Sequence, residues 1–445
     1  MRIEQLEIKN FRCLEDITIK FPVNNLAVII GVNGAGKSSL LDVIAKSLNS
    51  IVIKISQIDK SLNKNKTSRM TGFSSNIDFD DIQTSYYSCL INSRFKTKSE
   101  SFEVSLIKDI NSEKKRINQL SLDNFISNLF NKTEDMPWTS YPCFSYYKAY
   151  QKSKLATKLG NKTIPRITQM LSYYSCFSIA INDFSDFKAW YEFEENIENE
   201  RRVRENDSYR NQNIVLVKKS IEEFFEHLFI SDFSNLRIER IEIRPDTYFT
   251  KLSQNSIKSE IFIDKKNQSF KLEKLSDGEK RLLMLVTDLA RRLAIANPGL
   301  GEDALKGAGI VLIDEIDLHL HPQWQRRVLP ALTKTFPNCQ FIVTTHSPQV
   351  LSEVPRESVF ILENGKLLEY SPHTLGRDSN SILSEIFNVK ERPEWSQRKI
   401  DHCLDLIDDE KWDEAKESLK ELSNLLGEND TAVVRAESVF HFMEN

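Results

Sequence analysis

Residues 31–38 read GVNGAGKS, which fits the spacing GxxxxGK[ST]. The stretch follows a continuous apolar run, NLAVII at 25–30, and precedes helical periodicity from about Lys37 to Leu48. That context gives the pattern its chemistry. Glycines 31, 34 and 36 let the backbone of Asn33, Gly34, Ala35, Gly36, Lys37, Ser38 and Ser39 wrap a phosphate at the positive end of a helix. Lys37 is placed to reach β- and γ-phosphates, and the Ser38 hydroxyl to ligate Mg²⁺.

A second set of residues lies far along the chain. IVLIDE at 310–315 is a buried strand ending in two carboxylates. Strand ends of this kind are where open α/β sheets bind ligands. Asp314 would hold Mg²⁺ and Glu315 would orient and activate the attacking water. Neighbouring strand residues point to opposite faces, so the chain must turn there for both to serve one site. FIVTTHS at 341–347 repeats the strand-then-polar pattern, and His346 is a candidate sensor of the γ-phosphate. Asp317 is a candidate for coupling two sites across a dimer. His319 and His321 in HLHP invite a metal reading, but nothing supplies further ligands, so helix initiation with Pro322 at the first position is favoured. LSDGE at 275–279 opens an apolar helix; a Ser-x-Gly helix start is both a cap and an anion site.

The elements that must position these residues are legible in outline. Alternating strands run from Arg2 to Ile8 and from Asp16 to Phe21. Residues 54–76 read as a polar loop, and 77–150 as short strands with one helical stretch near Glu113 to Phe130. From about 155 to 228 the pattern turns helical, with a polar middle at 198–213 that projects into solvent. Strands resume at 236–243 and 260–263, and three short helices are expected from Ser379 onward. The divisions are 1–154, 155–232 as a helical insertion, 233–372, and a helical region at 373–445. With 445 residues and a net charge of -4, the chain is no polybasic nucleic-acid binder as a whole. Six scattered cysteines without a CxxC pair read as reduced thiols, and no apolar run is long enough to span a bilayer, so a cytoplasmic location is expected.

GVNGAGKS, LSDGE, IVLIDE with Asp317, and TTHS occur in that order around large inserts, and in this the chain resembles ABC-type ATPase heads of the SMC/RecF/OLD kind. The resemblance covers roughly 1–55 and 233–372. It implies an α/β P-loop head with a mixed sheet, a helical insertion and a C-terminal helical tail. It further implies ATP with Mg²⁺ as cofactors and a head-to-tail homodimer or higher homo-oligomer. Each ATP would then lie between one subunit's phosphate loop and Leu275, Ser276, Asp277, Gly278 and Glu279 of another. The block DEIDLHLHPQWQRRVLPALTKTFPNCQFIVTTHSPQVL, with GRDSNSILSEIFNV and RPEW, is similar to the ATPase subunit family (PtuA) of the Septu anti-phage system, which also accompanies some retrons. That family implies an HNH nuclease partner, PtuB. No TOPRIM or HNH motif is present, and the insert is too short for an SMC coiled coil.

Residues 136–182 hold no acidic residue between Met136 and Asn182, but carry Lys148, Lys152, Lys154, Lys158, Lys162 and Arg166 among Tyr146, Tyr147, Tyr150, Tyr173 and Tyr174. Two readings stand. Residues 146–174 form a nucleic-acid surface, or the aromatics are core and the lysines a solvated face. Four functions stay open: an ATPase regulating a nuclease partner, a RecF-like DNA-repair ATPase, a transporter energiser, and a scaffold that binds ATP and rarely hydrolyses it.

Overall fold

The computed structural model describes residues 1–57, 70–110, 120–135, 140–149, 168–180, 183–228, 233–243 and 256–444. They form two units, Met1–Arg377 and Asp378–Asn445.

In the first unit, β1 (Arg2–Phe11) and β2 (Leu14–Lys20) pair antiparallel, with Ile8 opposite Ile17. Period-two alternation marks the later part of β2, where Ile17 and Ile19 are buried and Asp16, Thr18 and Lys20 are exposed. β3 (Leu26–Ile30) is buried throughout and feeds α1 (Lys37–Ser56). The polar stretch at 54–76 therefore begins as helix: α1 continues to Ser56 because Ile51, Val52 and Ile55 extend its buried stripe. β4 (Ser88–Lys96) and β5 (Ser101–Asp109) complete a four-stranded antiparallel sheet in the order β2-β1-β4-β5. α2 (Leu120–Asp135) packs on β5; it starts later than the helix expected near Glu113, and 111–119 lie outside the described residues.

β6 (Cys143–Lys148) and β7 (Ile179–Ala180) belong to the central sheet. Among the described residues between 155 and 232 the α-helices are α3 (Ser185–Arg204) and α4 (Gln212–His227), while Thr168–Tyr173 is a 3₁₀ turn. The helical pattern expected from 155 thus gives way to a strand at 179–180. β8 (Phe233–Ile243), β9 (Ser256–Lys265) and β10 (Gln268–Lys271) make a separate antiparallel sheet. α5 (Asp277–Ala296) leads to β11 (Gly309–Ile313), α6 (Pro322–Thr335), β12 (Cys339–Thr344), the short α7 (Pro348–Leu351), β13 (Val359–Glu363) and β14 (Lys366–Leu367).

The central order is β14-β13-β3-β12-β11-β6-β7, parallel except for β14. β3, β11 and β12 carry no exposed residue, as a parallel sheet covered on both faces requires. The sheet register sets Ile313 beside Val343 and Tyr147, so the chain leaves β6, β11 and β12 at one edge.

A buried ionic knot fixes α5 against this sheet. Asp288 accepts hydrogen bonds from Tyr147 at 3.0 Å and from Arg292 at 2.7 Å, and also from Arg291. Arg292 Nη1 donates to the carbonyls of Ser172 at 2.6 Å and Tyr174 at 2.8 Å. Burial alone would raise the Asp288 carboxyl; Arg292 and Arg291 hold it below its usual range.

The second unit holds α8 (Ser379–Phe387), α9 (Glu394–Asp408), α10 (Trp412–Leu426) and α11 (Thr431–Glu444). This is one helix more than expected. Cys403, Ile407, Ala415, Leu422, Val433, Ala436 and Phe440 form the common core of the last three.

Asp288→Asn leaves the buried Arg292 without its counter-charge, and a loss of about 3–5 kcal/mol is expected in chemical denaturation. Because the folded carboxyl is held low, this contribution is present at neutral pH and lost as pH falls through the depressed value. A double variant, Asp288→Asn with Arg292→Met, should recover only part of the loss, because Arg291 still lacks its counter-charge and the Ser172 and Tyr174 carbonyls lose their donor.

Candidate nucleotide site

The phosphate-binding turn is built on backbone that only glycine adopts freely. Gly34 and Gly36 have φ of 82° and 105°. A Cβ on Gly36 would lie 2.5 Å from Leu14 Cδ2 and 2.9 Å from Cys13 Sγ, so the turn lies close against the β1–β2 hairpin. Gly36 is the N-cap of α1 and has no side chain to cap it, and no acidic residue stands in the first turn. The helix start therefore presents N–H donors and positive potential, as an anion requires. Lys37 Nζ donates to the carbonyls of Gly31 at 2.9 Å and Val32 at 3.0 Å. Burial pulls the Lys37 ammonium down, against the opposing pull of Asp314, Glu315 and Asp317.

Asp314 meets this turn from the end of β11, which lies two strands away from β3 in the central sheet. Ser38 Oγ lies 3.2 and 3.0 Å from the two Asp314 oxygens, across 276 residues of sequence. The Thr344 hydroxyl donates to Asp314 Oδ1 at 2.6 Å and accepts from the Glu315 N–H at 2.8 Å. Ser38 and Asp314 present hard oxygen donors, which suit Mg²⁺; that ion commonly takes one or two protein ligands and completes its shell with water and phosphate.

The change of direction required after Asp314 is a left-handed residue. Glu315 has φ 51°. Arg281, from the second turn of α5, donates through Nη2 to the carbonyls of Asp314 at 2.9 Å and Glu315 at 2.6 Å. Burial raises the Glu315 carboxyl, helped by Asp314 and Asp317 and opposed by Arg281 and Lys37. Asp317 Oδ1 accepts from the Thr345 hydroxyl at 2.6 Å and from the His346 N–H at 3.4 Å. Burial, then Lys37, holds the His346 imidazole below its ordinary value, which favours the neutral ring.

LSDGE forms the cap of α5. Ser276 is the N-cap, and its N–H and hydroxyl donate to Glu279 Oε2 at 2.9 and 2.8 Å, while the Glu279 N–H returns to Ser276 Oγ at 3.4 Å. This is a capping box. Burial would raise the Glu279 carboxyl, but Lys265 of β9 and Ser276 donate to it and hold it low. Leu275 is buried, and Asp277 is exposed with Lys280 at 3.4 Å. A Cβ on Gly278 would lie 2.5 Å from the His319 carbonyl oxygen.

Hydrogen bonds thus join Ser38, Asp314 and Glu315 through Thr344, and Asp317 to the His346 backbone, while Lys37 is tied electrostatically to Asp314, Glu315, Asp317 and His346. His321 is the N-cap of α6, its ring nitrogen accepting from Gln323 N–H at 3.3 Å, with Pro322 next. The basic–aromatic surface over 146–174 needs correction. Tyr146, Tyr147 and Tyr173 are core residues, 1%, 0% and 0% exposed, and cannot stack on bases. Lys148 is held by Asp42 at 3.1 Å and lies over the Phe73 and Tyr146 rings. Tyr150, Lys152, Lys154, Lys158, Lys162 and Arg166 lie outside the described residues. The sequence reading also passed over Arg281, Thr344, Thr345 and Lys265. The threonines stand inside TTHS and Arg281 directly follows LSDGEK, so their position beside the motifs was the available signal.

A glycine-rich turn between a buried parallel strand and a helix, with a carboxylate pair at the end of a nearby parallel strand, defines a P-loop ATPase of the α/β class. The chain belongs to the AAA ATPase domain family, whose model matches residues 1–351. It is 26% identical over 480 residues to the Retron Ec83 probable ATPase of Escherichia coli, covering 98% of this chain and 85% of that protein. It is 28% identical over 430 residues to the Retron Vc95 probable ATPase of Vibrio cholerae serotype O1 biovar El Tor, covering 88% and 80%. Over 146 residues it is 35% identical to the Septu protein PtuA of Bacillus mycoides (strain KBAB4), covering 33% of this chain and 20% of that one. The SMC head domain from Thermotoga maritima aligns over 84% of this chain and all of its own at 18% identity, with a TM-score of 0.43, too loose a likeness to carry an argument.

Gly36→Ala places a side chain in left-handed backbone, at about 1–2 kcal/mol, and against Leu14 and Cys13. ATP affinity measured by nucleotide titration should fall at least about tenfold.

Proposed function

We propose that this chain is the ATP-binding and ATP-hydrolysing subunit of a bacterial anti-phage defence system, of the retron-associated or Septu kind. In this reading it forms ATP-sandwich homo-oligomers and regulates an HNH nuclease partner. The observation that carries the ATPase part is the convergence of Ser38 and Asp314 beside Lys37. The retron relative matched along 98% of the chain supports the defence setting.

The chemistry follows from the groups present. The N–H groups of 33–39 and the Lys37 ammonium bind the phosphates and offset charge that builds on them. Ser38 and Asp314 would hold Mg²⁺, which when bound supplies further charge neutralisation between phosphate oxygens. Glu315 orients the attacking water and accepts its proton; its left-handed backbone turns its side chain away from the strand direction that Asp314 follows. Neutral His346 reads the γ-phosphate as a hydrogen-bond donor. Asp317, tied to Thr345 and the His346 backbone, links that residue to the turn after Glu315. Ser276 and Gly278, at the start of α5, meet the γ-phosphate held by another copy. The Ser276 hydroxyl must then exchange its Glu279 acceptor for phosphate oxygen.

Glu315→Gln keeps ATP binding and removes the proton acceptor, so single-turnover hydrolysis should fall by about two to four orders of magnitude. Equal rates in the two proteins would remove the role given to Glu315. Ser276→Arg should leave monomer ATP binding intact and abolish ATP-dependent dimerisation in sizing chromatography with light scattering. Normal dimers with ATP would overturn the trans site.

A further inference from the structure

The turn after Asp314 is held from both sides of a single peptide. Glu315 is a non-glycine residue in left-handed backbone, which by itself costs about 1–2 kcal/mol. Such a conformation persists when its surroundings over-determine it. Here the Glu315 N–H is fixed by Thr344 at 2.8 Å, and its carbonyl by Arg281 at 2.6 Å. Arg281 also takes the Asp314 carbonyl at 2.9 Å, so one guanidinium group spans the peptide between the two carboxylate residues. Both bonds come from the one Nη2 nitrogen, carried to the two carbonyls by a long, permanently charged side chain.

Arg281 does not come from the sheet. It stands two residues after Glu279 on α5, 5% exposed, on the helix whose first residues are the LSDGE turn. The same turn touches the same loop a second time, because Gly278 leaves no room for a Cβ beside the His319 carbonyl. His319 is itself left-handed, with φ 63°. The segment 315–319 is therefore a strained loop pinned to the start of α5 at both ends.

We propose that Arg281 is a positioning residue for hydrolysis. It converts the placement of this chain's LSDGE turn into the orientation of this chain's own Glu315. This rests on the reading above, in which Ser276 meets a nucleotide held by a second copy and Glu315 acts on the nucleotide held by its own P-loop. Capture of ATP by the LSDGE turn moves the start of α5, and Arg281 carries the shift to the Asp314–Glu315 peptide. The two ATP sites of a dimer are then coupled, each glutamate being set by the nucleotide on the opposite side, and the coupling is reciprocal.

The test uses Arg281→Met, which keeps an unbranched apolar stem and removes the charge and the donors, and Arg281→Lys. In the first, KM for ATP and ATP-dependent dimerisation should stay within about twofold of wild type while kcat falls about tenfold or more, the pattern of a misplaced reacting group. Arg281→Lys keeps the charge on a shorter side chain with different donor geometry, and should give an intermediate kcat at unchanged KM. Wild-type kcat in Arg281→Met, or dimerisation lost in step with kcat in both variants, would overturn the proposal. Mixed dimers settle which glutamate is addressed. One copy carries Glu315→Gln, so that one intact glutamate remains, and Arg281→Met is placed in either copy. Slow hydrolysis should follow Arg281→Met in the copy with the intact Glu315. Slow hydrolysis following the other copy, or equal loss in both, would make Arg281 a support of the LSDGE turn only. A wild-type chain that neither dimerises with ATP nor hydrolyses it would instead overturn the proposed function itself.

Discussion

The carboxylate of Asp314 is the point on which the site depends. It takes the Ser38 hydroxyl from the start of α1 and the Thr344 hydroxyl from the end of β12. Three segments distant in sequence are thereby brought to one edge of the central sheet. The strand order makes this possible: β12 lies between β3 and β11, so the phosphate turn and the carboxylate pair flank the strand that leads to His346. A parallel sheet with buried strands leaves its polar groups at the strand ends, where the chain can turn and reach them.

Charge inside the protein serves two separate purposes. The Asp288 knot ties α5 to β6 and to the 172–174 turn, with Arg291 also donating to the Asp186 carbonyl of α3, and it fixes how α5 lies on the sheet. The group around Lys37 and Asp314 is open, and within it Glu315 is raised and Lys37 and His346 are lowered. Perturbed groups gathered at strand ends mark a site of chemistry more often than a structural one. Here the two arrangements share α5, because Arg281 and Asp288 stand two turns apart on one helix.

Much of this was legible in the sequence where local chemistry and local structure coincide. GVNGAGKS needs a strand before it and a helix after it, and both could be read from apolar patterning. The change of direction after Asp314 could be anticipated because consecutive strand residues face apart, and the left-handed Glu315 supplies it. What could not be read depends on the partners of non-local strands. Tyr146, Tyr147 and Tyr173 fit either a stacking surface beside lysines or a core, and only the pairing of β6 with β11 and the packing of the 168–173 turn decide for the core. Ile179–Ala180 is too short to announce a strand and exists because β6 offers an edge. Arg281 carries no motif of its own, and its role is set by a contact to backbone carbonyls 33 and 34 residues away.

The same topology has a consequence for biosynthesis. β3 is flanked by β12 and β13, which are made near the end of the first unit. At ~5–20 residues per second, the 276 residues from Ser38 to Asp314 take roughly 14–55 s to emerge. The antiparallel sheet of β1, β2, β4 and β5 has all its strands by residue 109 and can close early. The five apolar residues of β3 have no strand partner until β12 leaves the ribosome. For that interval a newborn chain carries a finished phosphate loop sequence on an unpaired apolar strand. It cannot bring Asp314 to Ser38 until the segment between them has been made, so the site cannot assemble while that segment is still emerging.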